Sequence, residues 1–384
     1  MKLKLERSFI REILEHTDKN TISFAGGLPD ISLFPQKALQ ESAYKALEEP
    51  EALQYGRSTG YEPLKEQIAT LYNKQGFPTE RENIIITSGS QQALDIICRY
   101  HAAEGIAIEQ PSYVGALNIF KLNNMQVNPV ALDESGIDTE EFKKALSSSK
   151  LAYLIPDFQN PSGGCYSQSS REKVAKALKQ SGGILIEDSP YSELYFEKRE
   201  KSISQQLPEQ SYHLGSFSKV LAPALRIGWI RASKELLEPL IAYKEIMDLH
   251  TSTITQRVVS QYLKNAAGYE SHLQKLREEY HNKMLHFTKQ LDRHLPNFEY
   301  TTPKGGMFIY GRLKGVNTMQ LVQLAIKCGV VFVPGSVFGG AEDEIRFNFT
   351  NSSFEEIEEG LKKLKSHLCT DLFRGSFYLA NRIC

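Results

Sequence analysis

SFSKVLAPALRIGWI, residues 216–230, sets one lysine inside an apolar run, with Ser216 and Ser218 just before it and Arg226 seven positions after. Leu221, Ala222, Leu225, Ile227 and Trp229 surround Lys219 in sequence and predict partial desolvation of its amine. Desolvation disfavours the ammonium form, lowers the pKa and makes the amine a better nucleophile toward carbonyls. The competing reading is a surface turn, with a snorkelling lysine and a salt-bridged arginine. The stretch alone does not choose, so the chain on either side must.

Upstream, from about residue 80, short apolar runs alternate with longer stretches of helical period. The runs are NIIITSG (83–89), GIAIEQP (105–111), LAYLIPD (151–157), GILIEDS (183–189) and SYHLGSFS (211–218). Between them, SQQALDIICRYHA (90–102) and SSREKVAKALKQSG (169–182) carry apolar residues at i, i+3 and i+4. Short, nearly all-apolar strands separated by helices predict an α/β fold with a mostly parallel sheet covered on both faces. Ligands in such sheets bind beyond the carboxyl ends of the strands. Downstream, residues 268–295 predict one long helix stopped by Pro296, leading into a smaller α+β domain. That domain would hold 298–313, 329–340 and 344–351 and close with a helix over 352–368. The first 45 residues, including FAGGLPDISLFP (24–35), lack strand–helix alternation and are expected to run back over the smaller domain and the cleft. The expected division is a large domain over 46–271, and a small one of 1–45 plus 272–384 with an N-terminal cleft segment and a C-terminal tail.

A chain of 384 residues suits two domains, because single cores usually split beyond about 250–300 residues. Hydrophobic content of 41% and charged content of 24% are ordinary for a globular protein. A net charge of −1 provides no footprint for nucleic acid or an anionic membrane. No apolar run reaches membrane-spanning length, and MKLKLERSFIREILEH lacks the uninterrupted apolar segment of a signal peptide. Five scattered cysteines without a CxxC pair argue against a zinc site or disulfide framework and fit a reducing, cytoplasmic setting.

Three strand ends carry unusual polar groups. Thr87-Ser88-Gly89-Ser90-Gln91 precedes a helical pattern, where exposed backbone N–H groups suit a phosphate. The plainer alternative is a serine N-cap. GILIEDSPY ends on Glu187 and Asp188, followed by Tyr191; a carboxylate there is costly to bury without a partner, or else it caps the next helix. PDFQNPSGG places Asn160 at a proline turn, a common use of asparagine. Lys219 lies one strand further along the same edge. Pyridoxal phosphate would engage the whole set: its aldehyde the lysine, its phosphate Ser and Arg, its pyridinium nitrogen the acid, its 3-hydroxyl Asn and Tyr.

With these residues in hand, the chain resembles the fold-type-I pyridoxal-phosphate aminotransferases of class I/II, within them the 2-aminoadipate and broad-specificity aromatic group. The resemblance rests on ISFAGGLPD, LQYGRSTGYEPLKEQIA, ITSGSQQALD, IEQPSYVGAL, PDFQNPSG, ILIEDSPYSEL, GSFSKVLAPALRIGW, MDLHTSTITQ, PKGGMFIY and IRFNFTN, in the family's order over roughly residues 20 to 365. It implies that Lys219 is the covalent anchor and later the general base, and that Asp188 sits against the pyridine nitrogen. Tyr191 and Asn160 would hydrogen-bond the 3-hydroxyl, with Asn160 also facing substrate. Ser90, Gln91, Ser216, Ser218 and Arg226 would surround the phosphate. Tyr113 would stack on the ring, and Tyr55 would reach the phosphate of a neighbouring subunit. Arg346 would clamp the substrate α-carboxylate, assisted by the backbone at Gly27. Taken singly, Tyr113 and Tyr55 could be core aromatics and Arg346 a surface ion pair.

The resemblance also implies a homodimer with shared sites, amino-acid and 2-oxo-acid substrates with 2-oxoglutarate as the expected acceptor, and neither nucleic-acid nor membrane partners. The competing chemistry on the same residues is a β-lyase or decarboxylase. A more remote one is a non-catalytic ligand-sensing module, as in related regulators with an N-terminal winged helix; here the fold is expected to begin almost at Met1, without that domain. The tail after about residue 366 has no counterpart in the family pattern.

Overall fold

The computed structural model describes residues 9–15, 18 and 20–375. Its largest element is an eight-stranded sheet in the order Ile84–Thr87, Gly228–Arg231, Ser211–Ser216, Ile184–Asp188, Leu151–Leu154, Gly105–Gln110, Gln126–Asp133, Gly136–Ile137. The five strands from Ser211–Ser216 to Gln126–Asp133 pair in parallel. Gly228–Arg231 runs against both its neighbours, and Gly136–Ile137 against Gln126–Asp133. The expected α/β class with a mostly parallel sheet is the one observed. Leu151–Leu154 is buried at every position, which is why its sequence shows no polar alternation.

The 151–157 run forms a strand only as far as Leu154. Pro156 has no N–H for the ladder, and the Ile155 N–H is turned to the Glu109 carboxylate at 3.0 Å. The helices follow their sequence signals closely. Gln168–Ser181 begins at Ser167, whose hydroxyl accepts from the Ser170 N–H, and ends at Gly182 in the left-handed region at φ 71°.

A second, four-stranded antiparallel sheet orders Phe298–Tyr300, Phe308–Leu313, Glu344–Asn348 and Val333–Pro334. The helix Ala266–His294 leads to it from the large sheet and buries Tyr269, Leu273, Leu276, Tyr280, Met284, Phe287 and Leu291, a stripe at three- and four-residue spacing. The N-terminal segment crosses to this side, where Ile22–Ser23 pairs in parallel with Val330–Val331. Asp30 then pins the segment to the long helix: its Oδ2 accepts from Lys283 Nζ at 2.7 Å, and its N–H donates to Tyr280 Oη at 3.1 Å. The next helix, Gln36–Leu47, departs from the expected path and packs on the helix Thr253–Leu263. Arg257 ion-pairs Glu49 there, and Thr253 Oγ1 donates to the Ala52 carbonyl at 2.7 Å. The last helix, Phe354–Gly375, runs further than 352–368 and takes in the start of the tail; residues 376–384 lie outside the described residues. No described helix is long and apolar enough to cross a membrane.

Candidate active site

The strand Ile184–Asp188 ends in two carboxylates that the pleat sends to opposite faces. Glu187 takes the structural role: it accepts from the Ile203 N–H at 3.1 Å, the Ser204 N–H at 2.7 Å and Ser204 Oγ at 2.5 Å. Asp188 faces the other way and is 4% exposed. Its Oδ2 accepts from Tyr153 Oη at 2.8 Å, while Oδ1 is buried with no partner. Burial pushes its pKa up to about 6, against the lowering effects of the Tyr153 hydrogen bond and the Lys219 charge. Lys219, partly buried one strand further on, donates from Nζ to the Gly27 carbonyl at 2.7 Å. A Cβ on Gly27 would lie 3.2 Å from Phe308 Cζ and 3.9 Å from that amine, so the backbone's close approach depends on glycine.

Thr87, Gly228 and Ser216 lie in register across three neighbouring strands, bringing an anion-binding end together. The helix Ser90–Tyr100 starts there at Gly89, with φ 89° and no side-chain cap. Neither serine serves as the N-cap that sequence allows: Ser88 Oγ donates to Asp248 Oδ2 at 3.3 Å, and the Ser88 N–H to Gln92 Oε1 at 2.7 Å. Arg226, itself left-handed at φ 53°, reaches over this turn. Its Nη2 donates to the Ser88 carbonyl at 2.9 Å and its Nη1 lies 3.5 Å from Ser218 Oγ. Ser216 Oγ accepts from the Ser218 N–H at 3.1 Å. A Cβ on Gly89 would come within 2.5 Å of Arg226 Nη2. Ser90, Ser216, Ser218 and Arg226 thus gather at one helix N-terminus, a donor set suited to a phosphate. The Gln91 side chain is exposed.

Arg346 closes the opposite side. It is 1% exposed, and among the described residues it ion-pairs with no carboxylate. Its Nη1 donates to Asn160 Oδ1 at 2.7 Å, its Nη2 to the Ala25 carbonyl, and its Nε is buried without a partner. Phe308 and Phe338 cover the guanidinium at 4.4 and 4.7 Å from their ring centroids. Burial lowers its pKa to about 10. Being buried, Arg346 is not the surface ion pair that the sequence left open. Asn160 Nδ2 lies 3.5 Å from Tyr191 Oη. Tyr191 is buried edge-on to Phe308, and burial pushes its hydroxyl pKa up. Tyr113 stands at the head of the helix Val114–Leu122 with its ring over Gly115, close enough to act electrostatically on Tyr191 and Arg346.

Tyr55 is the outlier. It is 79% exposed, with its ring edge-on to His250 at 5.8 Å, and within one chain it stays out of the cluster. Three residues the sequence reading passed over belong to the site: Tyr153, Phe308 and Phe338. The signal for Tyr153 was a hydroxyl in an otherwise apolar central strand; nothing local marked the two phenylalanines.

Pyridoxal phosphate fits these residues. The orphaned Asp188 Oδ1 suits a ring N–H, the cradle at Gly89 suits the phosphate, and Lys219 lies between them for the aldehyde. Comparison with known proteins agrees. The family Aminotransferase class I and II matches residues 20–364. The 2-aminoadipate transaminase of Thermus thermophilus is 37% identical over 378 residues, 94% of each chain. Aromatic-amino-acid aminotransferase 1 of Thermococcus litoralis is 34% identical, over 94% of this chain and 91% of that one. The crystal structure of the Thermus thermophilus α-aminoadipate aminotransferase, complexed with N-(5'-phosphopyridoxyl)-L-leucine, superposes with a TM-score of 0.87 at 36% identity over 95% of both chains. Sequence, fold and site converge: this chain belongs to the class I and II aminotransferases and is a pyridoxal-phosphate-dependent enzyme of fold type I.

Proposed function

We propose that the enzyme moves the amino group of an α-amino acid with an aminoadipate-like, aromatic or aliphatic side chain to 2-oxoglutarate. One observation carries the reading: Arg346 is a buried guanidinium with two phenylalanine rings against it and, among the described residues, no carboxylate to neutralise it. A substrate α-carboxylate supplies the missing charge, in the planar geometry that guanidinium matches. The relatives named for 2-aminoadipate and aromatic amino acids support the donor classes.

When bound, the cofactor supplies an electron sink for the bond to the substrate α-hydrogen. Asp188 holds a proton on the ring nitrogen through its free Oδ1. Ser90, Ser216, Ser218, Arg226 and, through its backbone, Gln91 would hold the phosphate; Asn160 and Tyr191 would hold the 3-oxygen; Tyr113 would pack against the ring. Arg346, with the backbone at Gly27, orients the carboxylate, and Phe308 and Phe338 keep water from the guanidinium. Lys219, whose Nζ donates to the Gly27 carbonyl at 2.7 Å, would be the amine that holds the cofactor covalently and, once displaced by substrate, the base that accepts and returns the α-proton at Nζ. A positioned base of this kind contributes about 10²–10⁴-fold to rate.

We also propose a homodimer with reciprocally completed sites. Leu53, Tyr55 and Ile246 are 71%, 79% and 87% exposed on adjoining segments tied by the Ser58 Oγ to Glu245 hydrogen bond. An apolar patch of this kind suits a second copy, whose phosphate Tyr55 would reach. The division at residues 46 and 271, and a cytoplasmic setting, belong to the same proposal; the separate antiparallel sheet supports the first and the unpaired cysteines 98, 165 and 328 the second.

The test is a panel of amino acids supplied with 2-oxoglutarate, with glutamate and pyruvate both quantified. Glutamate formation with aminoadipate, aromatic or aliphatic donors is expected. Pyruvate release without glutamate from any donor would replace transamination with lyase chemistry.

A further inference from the structure

Glu109, at the end of the strand Gly105–Gln110, is a fully buried carboxylate that the proposed chemistry does not use. Among the described residues no cation pairs with it. Three donors converge on it instead: the Ile155 N–H at 3.0 Å and Tyr166 Oη at 2.9 Å on Oε1, and Gln159 Nε2 at 3.1 Å on Oε2. Burial pushes its pKa up to about 7, so the fold maintains this group against a sizeable desolvation cost. A neutral glutamine of the same shape would avoid that cost, but it has one acceptor oxygen and would present an NH2 group to the NH2 of Gln159. What the position requires is two acceptor oxygens.

The second oxygen fixes which way the Gln159 amide points. With Nε2 on Glu109, that nitrogen also donates to the Pro111 carbonyl at 2.9 Å, and Oε1 accepts from the Ser162 N–H at 2.8 Å. The Gln159 backbone closes the turn, its N–H bonded to the Gly164 carbonyl at 2.8 Å and its carbonyl to the Gly163 N–H at 2.6 Å. Two arms leave this amide, and both end on Arg346. Along one, the adjacent residue Asn160 presents Oδ1 to Arg346 Nη1 at 2.7 Å. Along the other, Pro111 leads to Ser112, whose N–H donates to the Phe338 carbonyl at 3.0 Å, and the Phe338 ring covers the guanidinium.

We propose that Glu109 and Gln159 are a positioning pair for the carboxylate clamp, holding Asn160 and Phe338 in the arrangement that presents Arg346 to substrate. The proposal rests on Arg346 being that clamp. Glu109 touches neither cofactor nor substrate and acts through Gln159. A purely structural role would lower thermal stability and leave carboxylate recognition unaltered.

The experiment compares the holoenzyme with Glu109→Gln, Gln159→Met, the double variant and Arg346→Lys. It reads the Kd of succinate, an unreactive carboxylate, by calorimetry, KM and kcat across the donor panel, and Tm. Glu109→Gln and Gln159→Met should each weaken succinate and raise every donor KM about tenfold, the effect of roughly one lost hydrogen bond to a charged group, with kcat changed less than twofold. The double variant should be no worse than about the weaker single, because both act through one amide. Should Glu109→Gln fail to fold, Gln159→Met, which leaves the carboxylate two of its three donors, carries the test alone. A lower Tm with unchanged succinate affinity and KM overturns the pair, as does additivity in the double variant. Unchanged succinate affinity in Arg346→Lys overturns the clamp itself. A defect in Arg346→Lys without one in the other variants overturns only the positioning pair.

Discussion

Replacing Tyr153 with phenylalanine removes one hydroxyl from beneath the proposed cofactor site and should move cofactor affinity along the pH axis. Tyr153 Oη is the sole hydrogen-bond donor found on the Asp188 carboxylate among the described residues, at 2.8 Å. A hydrogen bond to a charged group is worth about 1.5–3 kcal/mol, and one pKa unit about 1.4 kcal/mol. Asp188, already pushed up to about 6 by burial, should therefore titrate about 1–2 units higher in Tyr153→Phe. Only the carboxylate form can hold a protonated ring nitrogen, so affinity tracks the ionised fraction. At pH 6.5 that fraction falls from about three-quarters to between about one-quarter and about 3%, a loss of roughly 3- to 25-fold in affinity. By about pH 8.5 nearly all of it returns, because both proteins are then largely ionised.

The sign for stability follows from the same titration. The folded value lies above the ordinary 3.8, so between 3.8 and about 6 the native apoprotein binds more protons than the unfolded chain. Apoprotein stability from this group falls as pH rises through that window and is flat above it; in Tyr153→Phe the fall continues to higher pH. The assay is absorbance titration of apoprotein with pyridoxal phosphate from pH 5.5 to 8.5, run on both proteins so that the cofactor's own ionisations cancel. Equal dissociation constants at pH 6.5, or a defect of the same size at pH 8.5, would refute the argument.

Lys219→Ala should lose turnover by at least about 10²–10⁴-fold, and borohydride should no longer fix the cofactor to the protein; label retained on another lysine in peptide maps would remove Lys219 from its role. Arg346→Lys should raise the KM of every donor while leaving the cofactor absorption band unmoved, and an unchanged KM across the panel excludes it as the clamp. Gly89→Ala would put a Cβ 2.5 Å from Arg226 Nη2 at a φ of 89°, so affinity for pyridoxal phosphate should fall about tenfold or more; an equal fall for pyridoxal, which lacks the phosphate, would place the damage elsewhere. Mixing inactive Lys219→Ala chains with inactive Tyr55→Arg chains should recover activity if sites are shared across a two-fold axis, and confirmed subunit exchange without recovery refutes sharing.

How far the site could be read from sequence follows from how its contacts are made. Lys219, Asp188 and Asn160 were visible because each lies at or shortly beyond the carboxyl end of an apolar strand run, and such ends share an edge, while Arg226 was visible from its place seven positions after Lys219. The pair Glu187-Asp188 shows where this stops. Both are buried acids in one dipeptide, and only the pleat decides that Glu187 ties down the Ile203–Gln206 turn while Asp188 faces the site. Tyr153 was hidden for a related reason: its reach to Asp188 depends on the pairing of Tyr153 with Ile186, a register that neither strand's own sequence announces. Arg346 was legible as a residue and illegible as an environment. Its strand places it opposite Tyr310 and Val333, but its desolvation comes from Phe308, Phe338 and Asn160, which three separate segments deliver. A guanidinium so enclosed costs the fold stability unless a ligand completes it. That cost argues against an ornamental surface arginine, and only the assembled structure reveals it.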